Sequence, residues 1–158
     1  MNDDGIERLK FLHWVVDKEI QHLRYSSRNV FGTPFTEQKA AALSEDEALA
    51  EKVEAYASRF CRLQDTVGDK LLPHWLRMLE EKTGAVIDNL DRAEKLGALD
   101  SADKWLEIRQ IRNQMIHEYI ESPQILADAL NATFDYQDQL VAFANAMFSD
   151  AKRRGLLQ

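Results

Sequence analysis

The chain has very little of what staples, breaks or bends a backbone: one cysteine, three prolines and six glycines. A lone Cys61 excludes an internal disulfide and a cysteine-rich zinc site, and it fits a reducing compartment. No apolar run approaches the roughly 18 residues needed to cross a bilayer. Asp3, Asp4 and Glu7 stand where a secretory signal would begin its apolar core, so a cytoplasmic location and no membrane partner are expected. Positive charge is also short, with 20 Lys and Arg against 27 Asp and Glu for a formal net charge of −7. That balance excludes a diffuse basic surface for nucleic acid and leaves room for a local cationic site. The four histidines, His13, His22, His74 and His117, show neither HExxH nor paired-cysteine spacing. Neither a metal nor another cofactor is therefore expected.

What is present is a core. Hydrophobic residues make up 45% of the 158 positions, enough for a single domain over residues 1–158. No useful β-alternation, repeat or low-complexity tract occurs, and the periodicity is helical throughout. Ile6, Leu9, Leu12, Val15, Val16, Ile20 and Leu23 form the apolar face of a first helix over about residues 6–27, closed by the loop Phe31-Gly32-Thr33-Pro34-Phe35. Ser44-Glu45-Asp46-Glu47 has the capping-box pattern for a second helix, with the stripe Leu49, Val53, Tyr56, Phe60, Leu63, Val67. Pro73 should kink or restart that helix, which then runs through Trp75, Leu76 and Leu79 to Gly84. A short helix over about residues 86–96 stops at Gly97, and a fourth begins after Asp100 or Ser101. A last one starts at Pro123 behind Ser122, carries Leu126, Leu130, Phe134, Leu140, Val141, Ala144 and Phe148, and frays around Gly155. The economical architecture is an all-α, up-and-down bundle of about five helices.

The fourth helix is the unusual one. At about 100° per residue, Lys104, Glu107, Gln110, Gln114 and Glu118 share a wet face, and Ile108, Ile111, Met115 and Tyr119 form a core stripe. The remaining arc beside Trp105 mixes Leu106, Ile116 and Ile120 with Arg109, Arg112, Asn113 and His117. An arginine turned from solvent needs an anionic or hydrogen-bonding partner. Two explanations stand: an internal salt bridge, with Asp65 or Asp69 of the second helix as partner, or a site that receives a phosphate.

Arg112 and His117 are five residues apart, which separates them by about 140° around one helix. They converge on one ligand over the helix edge, or through a second copy of the helix in a two-fold dimer. Arginine, histidine and asparagine are a workable set for metal-independent RNA cleavage. Histidine exchanges protons near neutrality, arginine neutralises the transferring phosphate, and asparagine orients either one. Arg109 is open to two roles, phosphate steering or pairing with a neighbouring acid. Arg59, Arg62, Asp65 and Asp69 read first as a solvated edge of the second helix, with Asp65 as the candidate that orients Arg112. His13, Trp14 and Trp75 read as core or interface residues.

Arg112-Asn113-Gln114-Met115-Ile116-His117-Glu118-Tyr119 resembles the R-x4-H-x-Y motif of the HEPN superfamily in its HepT-like toxin branch. Phe11-Leu12, the stretch from Ser58 to Leu71 with its Arg62-Leu63-Gln64-Asp65 core, and the lead-in from Asp100 through Trp105 extend the likeness over about residues 6–150. The resemblance implies a HEPN-like helical homodimer built around the motif helix. It implies an endoribonuclease toxin that cleaves RNA (tRNA among the candidate substrates) without metal through the 2′-hydroxyl. Arg112 and His117 would be catalytic and Asn113 supporting. Tyr119 would be the tyrosine to which a partner minimal nucleotidyltransferase antitoxin transfers AMP. The alternative implied by the same family is a non-catalytic, substrate-binding or regulatory subunit of that nucleotidyltransferase.

Overall fold

The computed structural model describes residues 3–117 and 122–158. Its elements in chain order are α1 (Asp3–Val30), α2 (Glu37–Ala41), a 3₁₀ turn (Ala42–Ser44), α3 (Glu47–Asp65), a π-helical turn (Thr66–Leu71), α4 (Leu72–Met78), α5 (Val86–Lys95), α6 (Ala102–His117) and α7 (Pro123–Arg153). No strand occurs among the described residues, and none of their helices is long and apolar enough to cross a membrane. The all-α expectation holds.

Cross-helix partners give the topology. Arg59 reaches His22 and Ser26, Thr66 reaches Glu19, and His74 reaches Gly5, so α3 and its continuation run antiparallel to α1. Arg112 meets Cys61, Gln64 donates to Trp105, and Thr133 lies against Met115, which sets α6 antiparallel to both α3 and α7. His13 against Phe148 and Phe31 against Phe134 close the circuit between α1 and α7. The long helices thus alternate in direction around a core that includes Leu9, Val16, Phe60, Leu63, Trp105, Leu130 and Leu140.

Several boundaries differ from the sequence expectation, each for a local reason. Asp46, not Ser44, caps α3, its carboxylate accepting from Leu49 N at 3.1 Å, while Ser44 ends the preceding 3₁₀ turn. α1 continues past Ser27 to Val30 because Ser26 and Ser27 are buried and engaged by Arg59 and Gln137. The stretch of α2 is too short to show a period; Thr36 caps it by accepting from Lys39 N at 3.1 Å. α4 stops at Met78 rather than Gly84, with Glu80 in the left-handed region at φ 60°. Ser101 caps α6 at Lys104 N, whereas Ser122 occupies the N-cap position of α7 without a side-chain bond. Beyond Gly155, Leu157 returns to the core instead of fraying. Trp14 is exposed, and His13 is part-buried against the ring of Phe148.

The feature that seats α6 is the π-helical turn upstream of Pro73. The wider turn buries Thr66, Val67 and Gly68 in succession. Trp105, fully buried, lies across Gly68 so closely that a Cβ there would come within 2.8 Å of its Cζ2 atom. Its ring also meets Phe143 edge-on at 5.4 Å. Gly68→Ala is therefore expected to destabilise the fold by about 1–3 kcal/mol, as overpacking does, despite alanine's better helix propensity. In a Trp105→Phe background the same substitution should cost much less. Denaturant titration of the four proteins checks this, and an equal cost in both backgrounds would show that the ring is not the obstacle.

Candidate active site around Arg112

α6 carries its polar residues against one side of α3. Asp65 and Asp69 stand four residues apart, and Arg112 and Arg109 three apart on the antiparallel neighbour, so the charges meet in register. Arg109 Nη1 donates to Asp69 Oδ1 at 3.3 Å, and both side chains remain about one-third exposed. Arg112 is more enclosed, its side chain 13% exposed against 45% for Asp65.

Three groups converge on a single nitrogen of Arg112. Nη1 lies 2.7 Å from Asp65 Oδ1, and it donates to the Cys61 carbonyl and to Gln64 Oε1, each at 3.3 Å. The carboxylate contact is close but lies off the N–H directions, so Asp65 Oδ1 is buried with charge proximity and no aligned hydrogen bond. Nε and Nη2 take no partner among the described residues. These two nitrogens form the side-on edge with which a guanidinium binds an oxyanion in bidentate fashion.

Electrostatics around the clamp are mixed. Burial pushes the Cys61 thiol up from its ordinary value, opposed by the nearby Arg112 guanidinium and reinforced by Asp65, which disfavours the thiolate. Glu19, facing Thr66 from α1, is also pushed up, chiefly by burial. The Thr66 hydrogen bond and the cations Arg62 and Lys70 oppose that shift, and Asp65 adds to it. Its Oε1 is buried and unpartnered.

The expected residues divide as follows. Arg112 and Asp65 are brought together, and Arg109 pairs with Asp69. Asn113 is exposed, and Ile116 beside it is 54% exposed, so the arc read as turned from solvent is partly open on the single chain. His117 is the last described residue of α6, five positions beyond Arg112. Tyr119 lies outside the described residues. Arg59, expected on a solvated edge, is instead a tie to α1. Gln64 and the Cys61 carbonyl were not anticipated. Gln64 carried a usable signal, since it interrupts the apolar stripe of α3 just as Arg112 borders that of α6. No cluster of three metal-ligating side chains occurs among the described residues. Compared with known protein families, curated proteins and solved structures, the chain matches none.

Glu19 yields a pH prediction. A carboxyl whose folded value lies above its unfolded one contributes stability below the unfolded value and loses it as pH rises through the folded value. Glu19→Gln removes that loss. Its melting temperature should exceed that of the parent at pH 7, and the difference should shrink towards pH 4. A variant less stable at pH 7 would mean that the Thr66 and cation contacts outweigh the burial of the charge.

Proposed function

We propose that this chain is a metal-independent endoribonuclease of the HepT-like HEPN type, acting through Arg112, Asn113 and His117. The observation that carries the reading is the Arg112 guanidinium. It is fixed at Nη1 by three groups of α3, yet its Nε–Nη2 edge takes no partner among the described residues. A purely structural arginine in so enclosed a place would be expected to use its whole fork. In the proposed reaction the 2′-oxygen attacks phosphorus and the bond to the 5′-oxygen breaks, leaving a 2′,3′-cyclic phosphate and a 5′-hydroxyl. Arg112 neutralises the non-bridging oxygens, His117 moves a proton at the attacking or leaving oxygen, and Asn113 orients one of them. Two copies of α6 beside a two-fold axis would bring together residues that stand about 140° apart on one. The exposure of Asn113 and Ile116 supports such a contact. A minimal nucleotidyltransferase antitoxin would silence the site by transferring AMP to Tyr119, placing negative charge and bulk near Arg112.

The deciding assay uses purified protein, tRNA and total cellular RNA, with EDTA throughout and product ends identified by mass spectrometry. Cleavage should persist in EDTA, fall by about 10²–10⁴ in His117→Ala, and fall with weakened RNA binding in Arg112→Ala. Activity lost in EDTA, or retained in His117→Ala, overturns the mechanism. Inactivity of the unmodified protein on every RNA favours the second reading, a non-catalytic nucleotidyltransferase subunit. That reading draws support from the net charge of −7 and from the pairing of both α6 arginines with carboxylates.

A further inference from the structure

We infer that Gln64 is a positioning residue for the proposed reaction, the neutral member of the clamp that decides where the free edge of Arg112 points. The inference rests on the reading of Arg112 as the phosphate-binding group. Gln64 is 0% exposed, in the same helical turn as Phe60 and Leu63. A carboxamide sealed there loses water at both its polar ends and must find replacements within the protein. It does so on α6 alone, with Nε2 donating to the Trp105 carbonyl at 3.4 Å and Oε1 accepting from Arg112 Nη1 at 3.3 Å. One rigid side chain thus bridges the start of the motif helix, at the residue wedged over Gly68, to the guanidinium two turns later.

The three members of the clamp are not equivalent. The Cys61 carbonyl belongs to the α3 backbone and cannot be tuned by a side chain. Asp65 is 45% exposed and meets Nη1 off-axis, so it supplies charge with little direction. Gln64 supplies direction without charge. Its carboxamide is the part of the clamp that fixes the guanidinium while leaving its positive charge undiminished for an incoming phosphate. A leucine or methionine of similar size would satisfy the packing at this site and would leave Arg112 held only by charge and one carbonyl.

The test combines a signal from Arg112 itself with the kinetics. In the wild type, restraint at Nη1 should slow rotation of the Arg112 guanidinium, so that nitrogen-edited NMR resolves its Nη signals separately from those of solvent-exposed arginines. Arg112→Lys identifies them by their disappearance. Gln64→Met should average these signals while circular dichroism stays native. It should also lower kcat for RNA cleavage by about ten- to a hundredfold with KM changed by less than about threefold, the size expected for losing one hydrogen bond to a charged group and its alignment. Gln64→Glu keeps an acceptor facing Nη1 and should keep the resolved signals, while its added negative charge keeps the rate low. Averaged Arg112 signals in the wild type overturn the inference without any Gln64 variant, which covers the case in which Gln64→Met does not fold. Native signals and rate in Gln64→Met, or an unimpaired rate in Gln64→Glu, also overturn it. If the wild type cleaves no RNA, the NMR arm still decides whether Gln64 orients Arg112, so failure of the ribonuclease reading and failure of this inference are separable.

Discussion

The contact on which the site depends is Trp105 against the bare backbone of Gly68. A fully buried indole must be accommodated where α6 meets the α3–α4 column, and a regular α-helix with ordinary side chains leaves no room for it. The π-helical turn provides the room. It puts a glycine under the ring and buries Thr66, Val67 and Gly68 in succession. Once Trp105 is seated, the rise of α6 fixes the rest: Arg109 arrives beside Asp69 and Arg112 beside Asp65. The indole N–H is left buried without a hydrogen-bond partner, a cost of about 1–3 kcal/mol that the packing of the ring offsets.

The same register explains why α6 carries so many polar residues and remains docked. Its apolar anchors Trp105, Ile108 and Met115 are buried, and they hold the helix through one narrow stripe. The arginines border that stripe, and their heads find oxygen on α3 and the turn after it. Asn113 and Ile116 lie beyond the stripe and stay open. An exposed isoleucine next to an exposed asparagine is ordinary on a protein surface. On the proposed reading, this open corner beside Arg112 would border the phosphate site.

Much of this was legible in the residues. The long helices announced themselves by three- and four-residue spacing, and the stripe from Val53 to Val67 is buried as its period required. The pairing of Arg112 with an acid of the second helix followed from the cost of enclosing a guanidinium. Other features were not legible, for physical reasons. Ser44 and Asp46 are both good caps two residues apart, and only the packing of the intervening turn selects between them. Pro73 marks a break, yet it is compatible with the first turn of α4, and the irregularity sits upstream, where Gly68 and its neighbours have no sequence signature of a π-turn. Which of Arg112's nitrogens would be engaged depends on side-chain geometry that no spacing rule contains.

The two explanations for Arg112, internal ion pair and phosphate receptor, are therefore not competitors at the level of atoms. A pair with a carboxylate 45% exposed contributes on the order of 1 kcal/mol or less to stability, too little to account for an arginine on this helix. An isolated, unrestrained guanidinium would be a poor phosphate receptor, since ordering its rotamers costs about as much as one hydrogen bond returns. Clamping Nη1 removes that cost at the corner opposite the side-on edge, as the proposed phosphate-binding role requires. Asp65 offsets part of the charge and Gln64 does not, so the balance between them sets how much positive potential reaches the open side. In a chain with a net charge of −7, whose other α6 arginine is also paired, that local balance is what the proposed phosphate role would depend on, rather than overall electrostatics.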